Sequence, residues 1–365
     1  MGQTHPSRVM PPELWANVFA RGTPRDFQGL QRASRWTRAL YWAHRTDYTT
    51  LSTHLWNCDS VTGLDLSDAE AITTDIADLG LCRLKELNLG DLGTDARLKD
   101  DIARLVSLRS LNVRASRITD AGIEYLTTLT RLNVLLLGQC RLMTDKSFPA
   151  MARLTNLKHL ELGASPTHLL ELDEGAGVKV DRDELPVLCA ALGDVNIGCF
   201  AAFQRLETLD CGQFMALTPS AVQVLAGLRA LKHFRCQQCQ LFDDPALVAI
   251  TRMQSLVEVH LFKIQFTESI AVLAQCSKVV SLDLNGSWVT DSDLLTLVKM
   301  PHLERFNVSE CPKLTDAGIK GMYDAALPTR LKWVKHVACR RLSQFKFRDG
   351  ACKEEKDGHV GWTPF

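Results

Sequence analysis

The chain has 365 residues, and its 42 basic and 42 acidic side chains cancel to a formal net charge of zero at pH 7. Such a balance supplies no global field to draw it toward nucleic acid or anionic lipid. No apolar run of about 18 residues offers a membrane span, the opening "MGQTHPSRVM" has no signal-peptide core, and Pro6 occupies the position where myristoylation wants Ser or Thr. The expectation is a soluble intracellular protein, cytoplasmic or also nuclear, with neither nucleic acid nor membrane as partner.

Residues 10–45 come first. Pro12 suits the first turn of a helix that carries Leu14 and Val18 on one stripe and Trp15 and Phe19 on the next. Gly22 and Pro24 end it; a second helix holds Phe27, Leu30 and Ala33, and a third holds Trp36, Ala39, Leu40 and Ala43. About 35 residues bury too little apolar surface to stand alone, so this unit either docks on a partner or caps the neighbouring part of the chain. Residues 46–60 connect it to the rest.

From residue 61 to about residue 340 one pattern recurs. In "LERFNVSECPKLTDAGIKGM", residues 303–322, the apolar side chains Leu303, Phe306, Val308 and Cys311 have the spacing L-x-x-L-x-L-x-x-C, with polar residues between them. Apolar residues two apart lie on one face of a strand. Thr315 and Asp316 then suit the start of a helix, and Ala317 to Met322 continue at helical spacing. The same spacing starts at Val61, Leu84, Leu108, Leu132, Leu157, Leu206, Leu231, Leu256, Val279, Leu303 and Leu331, with successive differences of 23, 24, 24, 25, 49, 25, 25, 23, 24 and 28. One strand and one helix cannot bury themselves, so a period of about 24 predicts a solenoid whose units close their core against the next.

Two segments break the rhythm. The 49-residue interval after Leu157 holds either a degraded unit or an insertion of about 25 residues; "LLELDEGAGVKVDRDELP" favours a projecting acidic loop near 163–188, with a degraded repeat close behind. After residue 340, Leu342, Phe345 and Phe347 suggest a closing strand, and "CKEEKDGHVGWTPF" reads as a mobile charged tail.

The twelve cysteines raise the question of metal or disulfides. Cys140, Cys239, Cys311 and Cys339 fall on the last position of the repeat, where a small thiol packs under the turn and hydrogen-bonds backbone, and Cys211 and Cys236 fill the last apolar slot of their strands. Cys236 and Cys239 thus form a C-x-x-C through repeat grammar, and zinc would need two further ligands. Unbridged thiols, no metal and no cofactor are expected. With no H-E-x-x-H, G-x-S-x-G or phosphate-binding glycine loop in the chain, catalysis is not expected either.

L-x-x-L-x-L-x-x-C followed by L-T-D-A-G resembles the cysteine-containing class of leucine-rich repeats. The resemblance implies an α/β solenoid with a curved parallel sheet inside and helices outside. Residues 10–45 resemble an F-box in Pro11, Pro12, Glu13, Leu14, Val18, Phe19, Pro24 to Phe27, Leu30 and Ser34 to Trp36, departing from it at Gly22 and in the early placement of Trp36. That resemblance implies docking on a Skp-family adaptor and cullin complex through Pro12, Leu14, Val18, Phe27 and Leu30. It also implies a non-catalytic substrate receptor of a ubiquitin ligase. The other reading is a leucine-rich-repeat scaffold or inhibitor with a plain cap. A protein substrate is expected on the inner strand face, whose central positions read Asp65, Asn88, Asn112, Leu136, Glu161, Asp210, Arg235, His260, Asp283, Asn307 and Lys335. Within this row Leu136, Glu161, Asp210, Arg235 and His260, with Phe262 one exposed position further, depart most from a uniform polar surface.

Overall fold

The structure is a computed structural model that describes residues 62–66, 84–163, 196–212, 218–237, 244–266, 270–326, 330–336 and 339, together with the backbone of 353–355 and 359–361. The F-box-like unit, the loop near 163–188 beyond Gly163, and the strand expected at Leu342 to Phe347 lie outside these residues. Chain contacts divide the molecule into residues 1–157 and 158–365.

In the first unit four strands, β1 (Gly63–Asp65), β2 (Glu86–Asn88), β3 (Ser110–Asn112) and β4 (Val134–Leu136), pair in parallel and in chain order. Helices α1 (Asp95–Asp100), α2 (Asp120–Leu126) and α3 (Phe148–Met151) return the chain from one strand to the next. In the second unit β5 (His159–Glu161), β6 (Thr208–Asp210), β7 (His233–Gln237), β8 (Glu258–Phe262), β9 (Ser281–Asp283), β10 (Arg305–Asn307) and β11 (Trp333–Lys335) form a parallel sheet. The returns use α4 (Pro219–Leu225), α5 (Asp244–Thr251), α6 (Asp291–Leu297) and α7 (Asp316–Ala326), with 3-10 turns at Ile197–Ala202 and Ile270–Gln275. Each unit is thus a run of leucine-rich-repeat coils.

The strand that follows Leu157 pairs directly with the one that follows Leu206, His159 opposite Thr208 and Glu161 opposite Asp210. No strand stands between them. At the other end, the stretch read as a charged tail supplies β12 (Lys353–Glu355) and β13 (His359–Gly361), which pair antiparallel with each other, and β13 pairs antiparallel with β11.

The repeat spacing sets the core. Leu108, Leu111 and Val113, or Leu303, Phe306 and Val308, are fully buried in each unit's sheet layer. Burying one such side chain is worth about 2 kcal/mol, and each coil covers its own set only with the help of the coil beside it. At the strand ends, Cys140, Cys311 and Cys339 donate from Sγ to the carbonyls of Val113, Leu284 and Val308 at 3.1, 3.3 and 3.2 Å. Ser116 and Ser287 hold the same position and donate to Gly90 and Leu261. Burial pushes the Cys311 and Cys339 thiols above their ordinary range, and both are free. Cys236 departs from the expectation of unbridged thiols: it is disulfide-bonded. No other described cysteine is disulfide-bonded.

The T-D-A-G element has a second, inter-repeat role. Asp95 accepts from Thr119 N at 2.8 Å and Thr119 Oγ1 at 2.6 Å; Asp120 does the same for Thr144, and Asp291 for Thr315. Thr119 in turn caps its own helix by accepting from Ala121 N, and Thr144 caps its own turn by accepting from Lys146 N. The glycine follows from this ladder. A Cβ on Gly122 would lie 2.3 Å from Asp95 Oδ1, and one on Gly318 would lie 2.1 Å from Asp291 Oδ1. Among the described residues no helix is long and apolar enough to cross a membrane.

Candidate functional site

Side chains of a strand alternate between faces, so each repeat puts the first and third residues of its strand on the inner surface while the second enters the core. In the second unit the third-position row runs Glu161, Asp210, Arg235, His260, Asp283, Asn307 and Lys335, neighbours in register. The first-position row runs His159, Thr208, His233, Glu258, Ser281, Arg305 and Trp333.

Much of the third row serves the backbone. Asp210 Oδ1 accepts from Gly212 N at 2.8 Å, Asp283 Oδ1 from Asn285 N at 3.0 Å and Asn307 Oδ1 from Ser309 N at 3.1 Å. Asn88 and Asn112 repeat the contact in the first unit. Each closes an Asx turn where the strand bends away. Glu161 and Asp210, read from the sequence as solvent-facing, are only 4% and 2% exposed. Arg235, His260 and Phe262 are half-buried, as is Leu136 in the first unit, beside Asn112. The structure therefore brings Glu161, Asp210, Arg235 and His260 into one row with Phe262 two residues beyond His260. It leaves accessible surface at Arg235, His260 and Phe262. Pro12, Leu14, Val18, Phe27 and Leu30 lie outside the described residues.

The centre of this face is β7 and β8, five residues each where the other parallel strands of the unit have three. Glu258 there holds two partners: His233 Nδ1 lies 3.0 Å from Oε2, and the Arg305 guanidinium donates to Oε1 across the small side chain of Ser281. Burial disfavours the Glu258 carboxylate, but the His233 hydrogen bond and the charges of His233, Arg305 and His260 outweigh it, and its carboxyl titrates below the ordinary range. His260 is the reverse. Burial lowers its pKa, helped by Arg235 and Arg305, while Asp283 and Glu258 oppose the shift. Two nitrogens in this cluster, Arg235 Nε and His260 Nε2, are buried without a hydrogen-bond partner. At the strand entry, Glu207 accepts from Lys232 at 2.8 Å and Lys158 at 2.9 Å, which hold its carboxyl down to about 2.

Sequence reasoning missed His233, Glu258 and Arg305. The alternation that singled out the third strand position applies equally to the first, so reading both rows would have found them. Their mutual pairing is a different matter, since the Glu258–Arg305 contact skips a strand. Among the described residues no three of His, Cys, Asp and Glu gather as a metal site requires.

No protein-family model and no curated protein matches the chain. Among solved structures it is similar to an internalin of Listeria monocytogenes, at 21% identity over 92% of this chain and 80% of that one, with a TM-score of 0.51. That likeness is one of fold. The plant peptide hormone receptor RGFR1 in complex with RGF2 aligns over 81% of this chain and 42% of its own, at 16% identity and a TM-score of 0.47. A leucine-rich-repeat protein of Leptospira interrogans aligns over 80% and 76%, at 16% identity and a TM-score of 0.44.

Proposed function

We propose that this chain is a non-catalytic interaction scaffold that binds a protein or peptide partner on the inner face of its second unit. The observation that carries the reading is the character of β7 and β8. Where most coils place short turn-forming Asp or Asn, these two place Arg235 and His260, and add Phe262 beyond. The repeat fold has no use for a guanidinium, an imidazole and a phenyl ring on that surface. Aromatic and arginine side chains are the residue types that dominate interface energetics.

The test is a combined Arg235→Ala, His260→Ala and Phe262→Ala variant. It should keep the wild-type melting temperature and lose the proteins that co-purify with the wild-type chain. Loss of a hot-spot side chain costs about 2 kcal/mol, roughly 30-fold in affinity. Partners retained at undiminished levels would move the binding surface off this face.

A finer reading rests on the sequence of residues 10–45: the scaffold is a substrate receptor of a cullin-RING ubiquitin ligase, docked on a Skp-family adaptor through Pro12, Leu14, Val18, Phe27 and Leu30. Leu14→Asp with Val18→Asp should abolish adaptor co-purification and leave the melting temperature of the repeats nearly unchanged. A large fall in melting temperature, with no adaptor bound by the wild type, would make the segment a cap. An intracellular location goes with this reading. The buried, unbridged thiols of Cys140, Cys211, Cys311 and Cys339 support it, and the Cys236 disulfide does not.

A further inference from the structure

The inner face of the second unit has an unbalanced ledger of charge and hydrogen bonds. Both of its central carboxylates are provided for. Glu258 takes His233 and Arg305, and Asp283 accepts from Asn285 N and from Asn307 Nδ2 at 3.1 Å. Arg235 has no such partner. Among the described residues it forms no ion pair, and its Nε, which can only donate, is buried without an acceptor. Its neighbour in register on the next strand is His260, about 4.8 Å away along the sheet, and His260 Nε2 is likewise buried and unpartnered. A buried polar group left unsatisfied is destabilising, and here two stand side by side on the two longest parallel strands described in the unit.

We propose that Arg235 and His260 together seat one carboxylate side chain, Asp or Glu, presented by the protein partner; this rests on the reading of the inner face as the binding surface. The carboxylate pairs with the Arg235 guanidinium, which has no other ion-pair partner among the described residues and keeps accessible surface, and the half-buried His260 ring lies beside it. Phe262, two residues along β8, offers apolar contact to the flanking partner residue. The seat selects a single negative charge. A phosphoryl group carrying nearly two charges would also face the carboxylates of Glu258 and Asp283 on the adjoining positions, which raise the cost of the second charge.

A displayed library of random linear peptides, panned on the full chain, tests this directly. The expected result is a set of binders displaced by Phe262→Glu and sharing one acidic position. Changing that acid to its amide should weaken binding about tenfold against the wild-type chain and have almost no effect against Arg235→Gln. Arg235→Lys, which keeps the charge, should retain part of the preference and guards against a folding defect in the Gln variant. Should the amide exchange cost the same in wild type and Arg235→Gln, the carboxylate seat is wrong. Binders displaced by Phe262→Glu but indifferent to acids would sink the seat and leave the interaction surface standing. If no peptide binds in a way that Phe262→Glu displaces, both proposals fall.

Discussion

Two surfaces of the same coils answer to different rules. On the outer edge the repeats do one thing over and over: Asp95, Asp120 and Asp291 each grip the Thr of the next coil, and Gly122 and Gly318 leave room for the grip. On the inner face neighbouring coils do different things, with Asp210 closing a turn, Arg235 Nε left without an acceptor and His260 lowered in pKa by burial. A repeat protein contains its own controls. Where most coils agree, the residue serves the stack; where one or two depart from their neighbours at an accessible position, something other than the stack is being served.

The sharpest way to break this contrast is at a backbone contact. Gly163 is buried, and a Cβ there would stand 2.1 Å from the Cα of Gly212, an atom that cannot rotate away. Gly163→Ala is expected to cost about 4 kcal/mol or more, the upper end for single substitutions, read as a fall in the urea midpoint. A change below about 1 kcal/mol would show that the ends of β5 and β6 separate freely.

Next in size is the ladder itself. Asp291→Ala removes both acceptors of Thr315, one serving a backbone N–H and one a hydroxyl, and should cost about 2 kcal/mol. Asp291→Asn, which keeps one oxygen, should cost less. Peptide binding should be unchanged by either, and a parallel loss of binding would mean that outer and inner surfaces are not separable.

A smaller effect comes from pH. The folded-state pKa values of His260 and His336 lie below the ordinary value of 6.5, with burial the main cause in each. Below about pH 6.5 the unfolded chain therefore binds protons that the folded chain refuses, so stability falls as pH drops through 6.5 toward the lowered values. His260→Gln should flatten the urea-midpoint profile between about pH 7.5 and about pH 5.5. An unchanged slope would mean that His260 protonates as easily folded as unfolded. That window stays above the range where Glu207, held at about 2, begins to lose its own contribution.

The smallest expected effect is the most telling. Arg235→Met exchanges an unsatisfied donor for an apolar chain of similar reach, so stability should be unchanged or rise by up to about 1 kcal/mol. A loss of about 2 kcal/mol would make Arg235 another member of the stack and remove the reason to read it as functional.

The strand positions and the turn role of the cysteines were legible because they depend on spacing alone, as Cys140, Cys311 and Cys339 illustrate. The helix-capping Thr was legible too, but the main work of its Asp was not: Asp291 serves Thr315, 24 residues on, and local pattern reading assigns a side chain to its own helix. The burial of Glu161 and Asp210 was invisible for a related reason, since alternation tells which face a residue points to and not what covers that face. The inner-face site was half visible. Arg235, His260 and Phe262 stood out as breaks in a row, whereas the Glu258 cluster depends on Ser281 being small enough for two long side chains to meet above it.

The direct pairing of β5 with β6 also bears on how the chain assembles. A strand normally finds its predecessor after closing a loop of about 24 residues, and here the interval is 49. Loop-closure entropy rises with the logarithm of length, so this doubling adds only about 0.6 kcal/mol, near a factor of about three in rate if the pairing is formed at the barrier. A folding front that travels coil by coil should slow once, briefly, at Glu161 and Asp210, and shortening the excursion between Gly163 and Asn196 should speed that step without altering the register on either side.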